Sequence, residues 1–269
     1  MSDIDQRNSS FWNELCGSSL ARSLGISDDS AESLRKFDDW YFDYYPYLFD
    51  HIPFTSMRGK KVLEIGLGYG TVAQRLMEQG AIYCGLDIAD GPVGMARHRA
   101  QLLGVPVDAN VGSALAIPYP DDTFDHVVTI GCLHHTGDLA QALREVVRCL
   151  KPGGRAMIMV YSALSYRHWR KQPLATVKRW LNPSSDWSNA NQTMRMAYDS
   201  NKEGEAAPET VFITPREAKS YLQGHFAEVT VTPQNIGEDF PPARVLPRRL
   251  ANALFQSWLG LDLYIECRK

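Results

Sequence analysis

The sequence is poor in several features that would assign it quickly. Only five cysteines (Cys16, Cys84, Cys132, Cys149, Cys267) are scattered over 269 residues, an odd number with no CxxC pair. That argues against a disulfide framework and a zinc site, and the five read as reduced thiols in packed positions. No apolar run approaches the ~20 residues of a membrane span; the longest, Ala156 to Leu164, is broken by Tyr161 and Ser162. Neither sign of charge prevails, with 28 Lys+Arg against 31 Asp+Glu and a net charge of −3. The basic balance of a nucleic-acid binder is therefore missing. The start, MSDIDQRNSSFWNELCG, has no basic n-region and no apolar h-region, so neither a secretory nor a transit signal is read there. A cytoplasmic protein with no membrane and no nucleic-acid partner is expected. Repeats and low-complexity tracts are also lacking, which disfavours solenoids and disordered arms.

What is present is an ordinary globular composition, 44% apolar and 22% charged. At ~100 to 200 residues per domain, the length suits one large α/β domain or a core with an inserted cap. From Lys61 to Tyr161, short apolar runs alternate with helical patterns (KKVLEIG, TVAQRLMEQG, AIYCGLD, GPVGMARHRAQLLG, PVDANVG, FDHVVTIG, DLAQALREVVRCL, RAMIMVY). This alternation is the pattern of βαβ units on a parallel sheet. Gly80, Gly104 and Pro152-Gly153-Gly154 punctuate helix ends. The clearest helix is predicted from Asp138 to Leu150, with Asp138 as N-cap and Leu139, Leu143, Val146, Val147 and Leu150 on one face. Residues 163–210 show no clean strand, and four prolines (Pro233, Pro241, Pro242, Pro247) mark 233–248 as loop. Strand signals return in AEVTVT (227–232) and LDLYIEC (261–267).

The most informative stretch is Val62-Leu63-Glu64-Ile65-Gly66-Leu67-Gly68-Tyr69-Gly70. An apolar strand runs through a carboxylate, Glu64, into three alternating glycines, and a helix is predicted from about Thr71. Such a turn lets backbone approach a ligand; taken alone it is also compatible with a plain tight βα connection. Its GxGxG spacing departs from the GxGxxG of dinucleotide folds. Asp87 ends the next strand, where an acid can accept hydrogen bonds from both ribose hydroxyls.

In these residues the sequence resembles the class I S-adenosylmethionine-dependent methyltransferases. Four signatures carry the resemblance from Lys61 to about Tyr161: VLEIGLGYG, GLD with Asp87, GSALAIPYPDDTFDHVVTIGCLHH and LREVVRCLKPGGRAMIMV. It implies a Rossmann-like α/β fold, a seven-stranded mixed sheet with helices on both faces and one of the last two strands antiparallel. An N-terminal helical lid (1–60), the cofactor core (61–161), a substrate cap inserted after the fifth strand (162–225) and closing C-terminal strands (226–269) would complete it. S-adenosyl-L-methionine would be the cofactor and S-adenosyl-L-homocysteine the product. Gly66, Gly68 and Gly70, with Glu64 beside them, would take the methionine part, Asp87 the ribose and Ile88 one face of the adenine. Family members often carry Gly-Asp-Ala where this chain has Gly112-Ser113-Ala114, so Ser113 offers an uncharged and weaker acceptor. Ala114 and Gly131 are placed with the same site.

Methyl transfer from a sulfonium needs alignment in a dry pocket, and a hydroxyl or ammonium acceptor also needs a base. His134 and His135 follow the predicted strand 127–131 at the carboxyl edge of the sheet, and are the first candidates for base or substrate clamp; the competing reading makes them loop caps or surface residues. In Phe37 to Phe49, helical spacing relates Phe37, Tyr41, Tyr44 and Leu48, with Pro46 ending the helix near Tyr44 or Tyr45. One reading is core packing. The other is a lid in which Tyr41 and Tyr44 face the cofactor and Tyr45 the chemistry. The basic run Arg167, Arg170, Lys171, Lys178, Arg179 is read either as a solvated helix face or as a cap over an acceptor. The expectation is methyl transfer to O or N of a small-molecule acceptor, in a secondary-metabolite or sugar pathway, by a protein of unspecified oligomeric state. Set against it are an RNA or protein methyltransferase, a non-catalytic cofactor-binding regulator and a nicotinamide dehydrogenase.

Overall fold

The computed structural model describes residues 2–15, 18–183 and 188–269; Cys16 lies outside them. Four helices come first: α1 (Asp3–Leu15), α2 (Ser18–Ser23), α3 (Ala31–Tyr44) and α4 (Leu48–His51). The α/β alternation follows as β1 (Lys61–Ile65), α5 (Thr71–Glu78), β2 (Ile82–Asp87), α6 (Asp90–Leu103), β3 (Asp108–Val111), β4 (Phe124–Ile130), α7 (Leu139–Cys149) and β5 (Leu150–Tyr161). After it come α8 (Tyr166–Lys171), α9 (Pro173–Leu181), α10 (Gln192–Met196), α11 (Pro215–Leu222), β6 (Glu228–Gln234), α12 (Arg248–Leu259) and β7 (Asp262–Arg268).

The seven strands form one sheet in the order β3-β2-β1-β4-β5-β7-β6. The first five are parallel, and β7 runs antiparallel to both neighbours, β5 and β6. Strand order reverses between β1 and β4, and in open α/β sheets the crevice at the carboxyl ends of such strands is where ligands bind.

Local chemistry explains the elements. Asp138 caps α7 by accepting from the Gln141 amide at 2.9 Å, and Leu139, Leu143 and Val146 bury one face of it on the sheet together with Ala218 and Leu222 of α11. Val72 and Leu76 of α5 and Val93, Ala96 and Ala100 of α6 cover the opposite face. The chain thus buries two apolar layers about one sheet. Pro46 follows the end of α3 at Tyr44, as its missing N–H requires. Two boundaries differ from the sequence reading. β5 already begins at Leu150, so Pro152-Gly153-Gly154 lies within the strand, beside a register shift between Phe124 and His126 of β4. β6 continues through Pro233 to Gln234, which an edge strand tolerates because it has no second neighbour awaiting that N–H.

Candidate active site

The glycine turn after β1 has a steric cause. Gly66 sits at φ +82°, and a Cβ there would come within 2.5 Å of the Cys132 Cβ, so only glycine lets the segments leaving β1 and β4 meet. Gly70, at φ +74°, starts α5 against Arg99; an added Cβ would lie 2.8 Å from the Arg99 Cδ. Asp87 ends β2 with its carboxylate held by backbone: Oδ2 accepts from the Leu67 amide at 2.7 Å and Oδ1 from the Ala89 amide at 2.9 Å. Burial pushes its carboxyl upward, and those amides oppose the shift. Glu64 is also buried, and accepts from the Tyr83 hydroxyl at 2.7 Å. Burial pushes its carboxyl up to about 8, against the Tyr83 bond.

These residues open onto a cavity of 420 Å³. It follows the carboxyl edge of the sheet from Gly112, Ser113 and Ala114 after β3, past Asp87 and Ile88 after β2, to Gly131, Cys132 and His135 after β4. Three strand spacings of ~4.8 Å make that edge about 14 Å long. The N-terminal helices form the facing wall, with Asp5, Asn8 and Trp12 from α1 and Trp40 and Tyr41 from α3, followed by Tyr45. Ser113 Oγ donates to Asp5 Oδ1 at 3.1 Å. Where the resemblance implies an acid beside Gly112, this chain has a serine, and a carboxylate from α1 stands next to it. Asn8 Nδ2 donates to the His135 carbonyl at 2.7 Å, while its buried Oδ1 has no hydrogen-bond partner among the described residues.

α3 is pinned to this edge by a buried ion pair. Asp38 accepts from Arg99 Nη1 at 2.7 Å, from Arg99 Nη2 at 3.0 Å and from Thr71 Oγ1 at 2.6 Å. Arg99 is wholly buried, and its Nε donates to the Tyr69 carbonyl at 2.8 Å. One guanidinium thereby ties α3, α6 and the glycine turn together in bidentate geometry.

The two histidines are placed differently. His135 borders the cavity, with the Trp12 ring 4.6 Å from its own. Its Nδ1–H donates to the Glu209 carbonyl at 2.7 Å, and its Nε2 lies 3.7 Å from Asp199 Oδ2. His134 does not line the cavity. It is fully buried between the rings of His135 (4.1 Å) and Tyr161 (4.2 Å), and neither ring nitrogen has a hydrogen-bond partner among the described residues. Burial holds its imidazole well below the usual range, hence neutral. Burial also lowers His135, against the pull of Asp199.

Tyr41 and Tyr45 line the cavity, and burial raises both phenols, so they stay neutral O–H donors. Tyr44 is not brought there: its ring stacks under the Arg248 guanidinium at 3.6 Å, and its carbonyl accepts from Arg248. Gly70 acts from behind the turn and does not face the cavity. Of the basic run, Arg167 and Arg170 pair with Asp239 and Arg179 pairs with Glu217, and none of its five residues lines the cavity. Among the described residues no cluster could hold a metal ion, and no helix is long and apolar enough to cross a membrane.

Sequence reasoning missed Asp5, Asn8, Trp12, Asp38, Arg99 and Asp199. The first three follow a helical spacing of three and four residues, a detectable signal. Asp199 lies in a stretch without periodicity, where none was available.

Residues 63–158 match the family model described as a methyltransferase domain. That segment of the chain is a methyltransferase domain. Over 123 residues it is 37% identical to norajmaline N-methyltransferase of Rauvolfia serpentina, a match covering 45% of this chain and 40% of that protein. Over 120 residues it is 33% identical to a ubiquinone/menaquinone biosynthesis C-methyltransferase of Geobacter sulfurreducens, covering 42% and 46%. The matched region thus spans less than half the length of either relative. An S-adenosylmethionine-dependent methyltransferase of Methanosarcina mazei shares the fold at a TM-score of 0.55 and 18% identity, over 84% of this chain and 97% of that one.

Proposed function

We propose that this chain is an S-adenosylmethionine-dependent methyltransferase that methylates O or N of a small molecule. The observation that carries the reading is the single cavity joining the Asp87 and Glu64 carboxylates to His135, roofed by α1 and α3. The residues fit the cofactor. Asp87 would accept from the ribose hydroxyls, and Ile88 and Ala114 offer apolar surface to the adenine. Asp5, Ser113 and the free Asn8 Oδ1 supply acceptors for its exocyclic amine. Glu64, costly to ionise when alone in its buried site, would be stabilised as a carboxylate by a ligand cation. The glycine turn, which a Cβ at Gly66 would fill, admits the methionine backbone.

When bound, S-adenosylmethionine supplies an electrophilic methyl group on a sulfonium. The protein aligns and dries the reactants: Trp12, Trp40, Tyr41 and Tyr45 exclude water, their ring faces favour positive charge, and His135 stands where an acceptor would lose its proton. The mostly aromatic wall fits a small acceptor better than an RNA or protein chain, and the ion pairs of Arg167, Arg170 and Arg179, with no residue of the basic run on the cavity, weaken the RNA reading. The relatives' names include both an N- and a C-methyltransferase, so the position methylated is left to the test. Purified protein is incubated with methyl-labelled S-adenosylmethionine and cell extract, and small molecules, RNA and protein are separated. Label in the small-molecule fraction is the expected result. Label in RNA or protein overturns the acceptor class, and cofactor binding without label anywhere favours a regulatory protein.

A further inference from the structure

His135 Nδ1 faces a backbone carbonyl, Glu209 O, at 2.7 Å. A carbonyl only accepts, so Nδ1 carries the proton and Nε2 presents a lone pair in the neutral ring. That lone pair faces Asp199 Oδ2 across 3.7 Å, and neither atom has a hydrogen-bond partner among the described residues, although both are enclosed. Two buried acceptors facing each other are unfavourable until one proton is placed between them. The other carboxylate oxygen, Asp199 Oδ1, is fixed by the Tyr161 hydroxyl at 3.2 Å.

We propose that Asp199 is a positioning residue that shares one proton with His135, making the pair, not the histidine alone, the base at the cavity wall. This rests on the methyltransferase reading. As methyl transfer proceeds, the bond from sulfur to the methyl carbon breaks with its electron pair left on sulfur. The acceptor atom bonds that carbon, and its own proton passes to Nε2 of the neutral imidazole, becoming the one proton that the ring then shares with the ionised Asp199 carboxylate. The resulting imidazolium is stabilised by the Asp199 carboxylate, which a lone buried imidazole would lack. An acceptor bearing a weakly acidic O–H or N–H is implied, since carbon acceptors of low acidity would gain little from such a base.

The groups facing the pair come from every neighbouring element. His134 lies beside His135, Tyr161 of β5 bonds Asp199, Arg167 of α8 favours the Asp199 carboxylate, and Asp262 of β7 opposes it. None of them fills the 3.7 Å gap. The pair also spans two parts of the chain: His135 lies in the turn that follows β4, and Asp199 follows α10 in the segment after β5.

Imidazole titration by NMR on the full chain tests this without any acceptor, with the His135 signal assigned as the one lost in His135→Gln. Asp199→Asn is expected to lower its titration midpoint by more than one pH unit. Tyr161→Phe, which removes a donor from the carboxylate, is expected to raise it; opposite shifts are not produced by general loosening. Midpoints unchanged in both variants, or moved the same way, overturn the proposal. If Asp199→Asn fails to fold, the Tyr161→Phe shift and the Nδ1–H tautomer of the wild-type ring carry the test. The labelled-methyl assay then separates the two claims: a coupled pair without methyl transfer removes the methyltransferase reading, and methyl transfer without coupling removes the pair.

Discussion

The two walls of the cavity are built on different principles. The wall formed by β1, β2 and β4 is largely backbone: turns at Gly66 and Gly131, and a carboxylate, Asp87, clasped by the Leu67 and Ala89 amides. The facing wall is made of side chains from segments far apart in the chain, among them Asn8, Trp12 and Tyr41, with Asp199 behind His135. On the first wall both carboxylates are hydrogen-bonded, Asp87 to backbone amides and Glu64 to the Tyr83 hydroxyl. The second keeps an unpaired Asn8 Oδ1, and beyond the sheet edge the His135–Asp199 contact stays open. A backbone-built surface suits a ligand shared by many enzymes, whereas a side-chain-built surface can be retuned for each acceptor.

The ion pair that couples the walls is where the contrast breaks most sharply. Asp38→Ala leaves the fully buried Arg99 without its carboxylate, and removing one partner of a buried pair costs about 3 kcal/mol or more. A fall of ~10 °C in melting temperature is expected from that loss, measured by calorimetry; a change of a degree or two would mean that α3 does not depend on this tie.

Within the backbone wall, Asp87→Ala is expected to weaken S-adenosylmethionine binding more than tenfold, about 1.4 kcal/mol, because charge-assisted hydrogen bonds are lost. Titration calorimetry reads it directly, and unchanged affinity would refute the ribose role.

The smallest and most discriminating effect concerns Glu64. Burial pushes its carboxyl up to about 8, so below that pH it holds its proton, while a bound cation favours the ionised form. Binding at pH 6 to 7 must then release a proton, and affinity should rise severalfold per pH unit up to about 8 and level off above it. Calorimetry in two buffers of different ionisation enthalpy counts the proton; Glu64→Gln should abolish the release.

The same contrast explains what could be read in advance. Gly66, Gly68, Asp87 at a strand end and the α7 stripe are local patterns: the first three line the cavity and Leu139, Leu143 and Val146 are buried, while Gly70 lies behind the turn and Leu150 opens β5 instead. Tyr44 had the same helical credentials as Tyr41 yet turned to Arg248, because a helix period gives a face and not the neighbour that covers it. His134 and His135 were indistinguishable by position, and burial sent one to the cavity wall and the other behind it. The basic run admitted two readings, a solvated helix face or a cap over an acceptor, and no local pattern announced Asp239 and Glu217, tens of residues away, opposite its three arginines.

By itself the sequence determined the α/β alternation, the class of its central domain and the backbone cradle, since these arise from periodicity, strand ends and glycine φ angles that act within a few residues. The tertiary structure alone decided which side chains close the cavity: Asp5 beside Ser113, Asp38 on Arg99 and Asp199 facing His135. Those pairings join residues separated by 108, 61 and 64 positions, and nothing local in the chain records a contact whose energy comes from burial in a shared core.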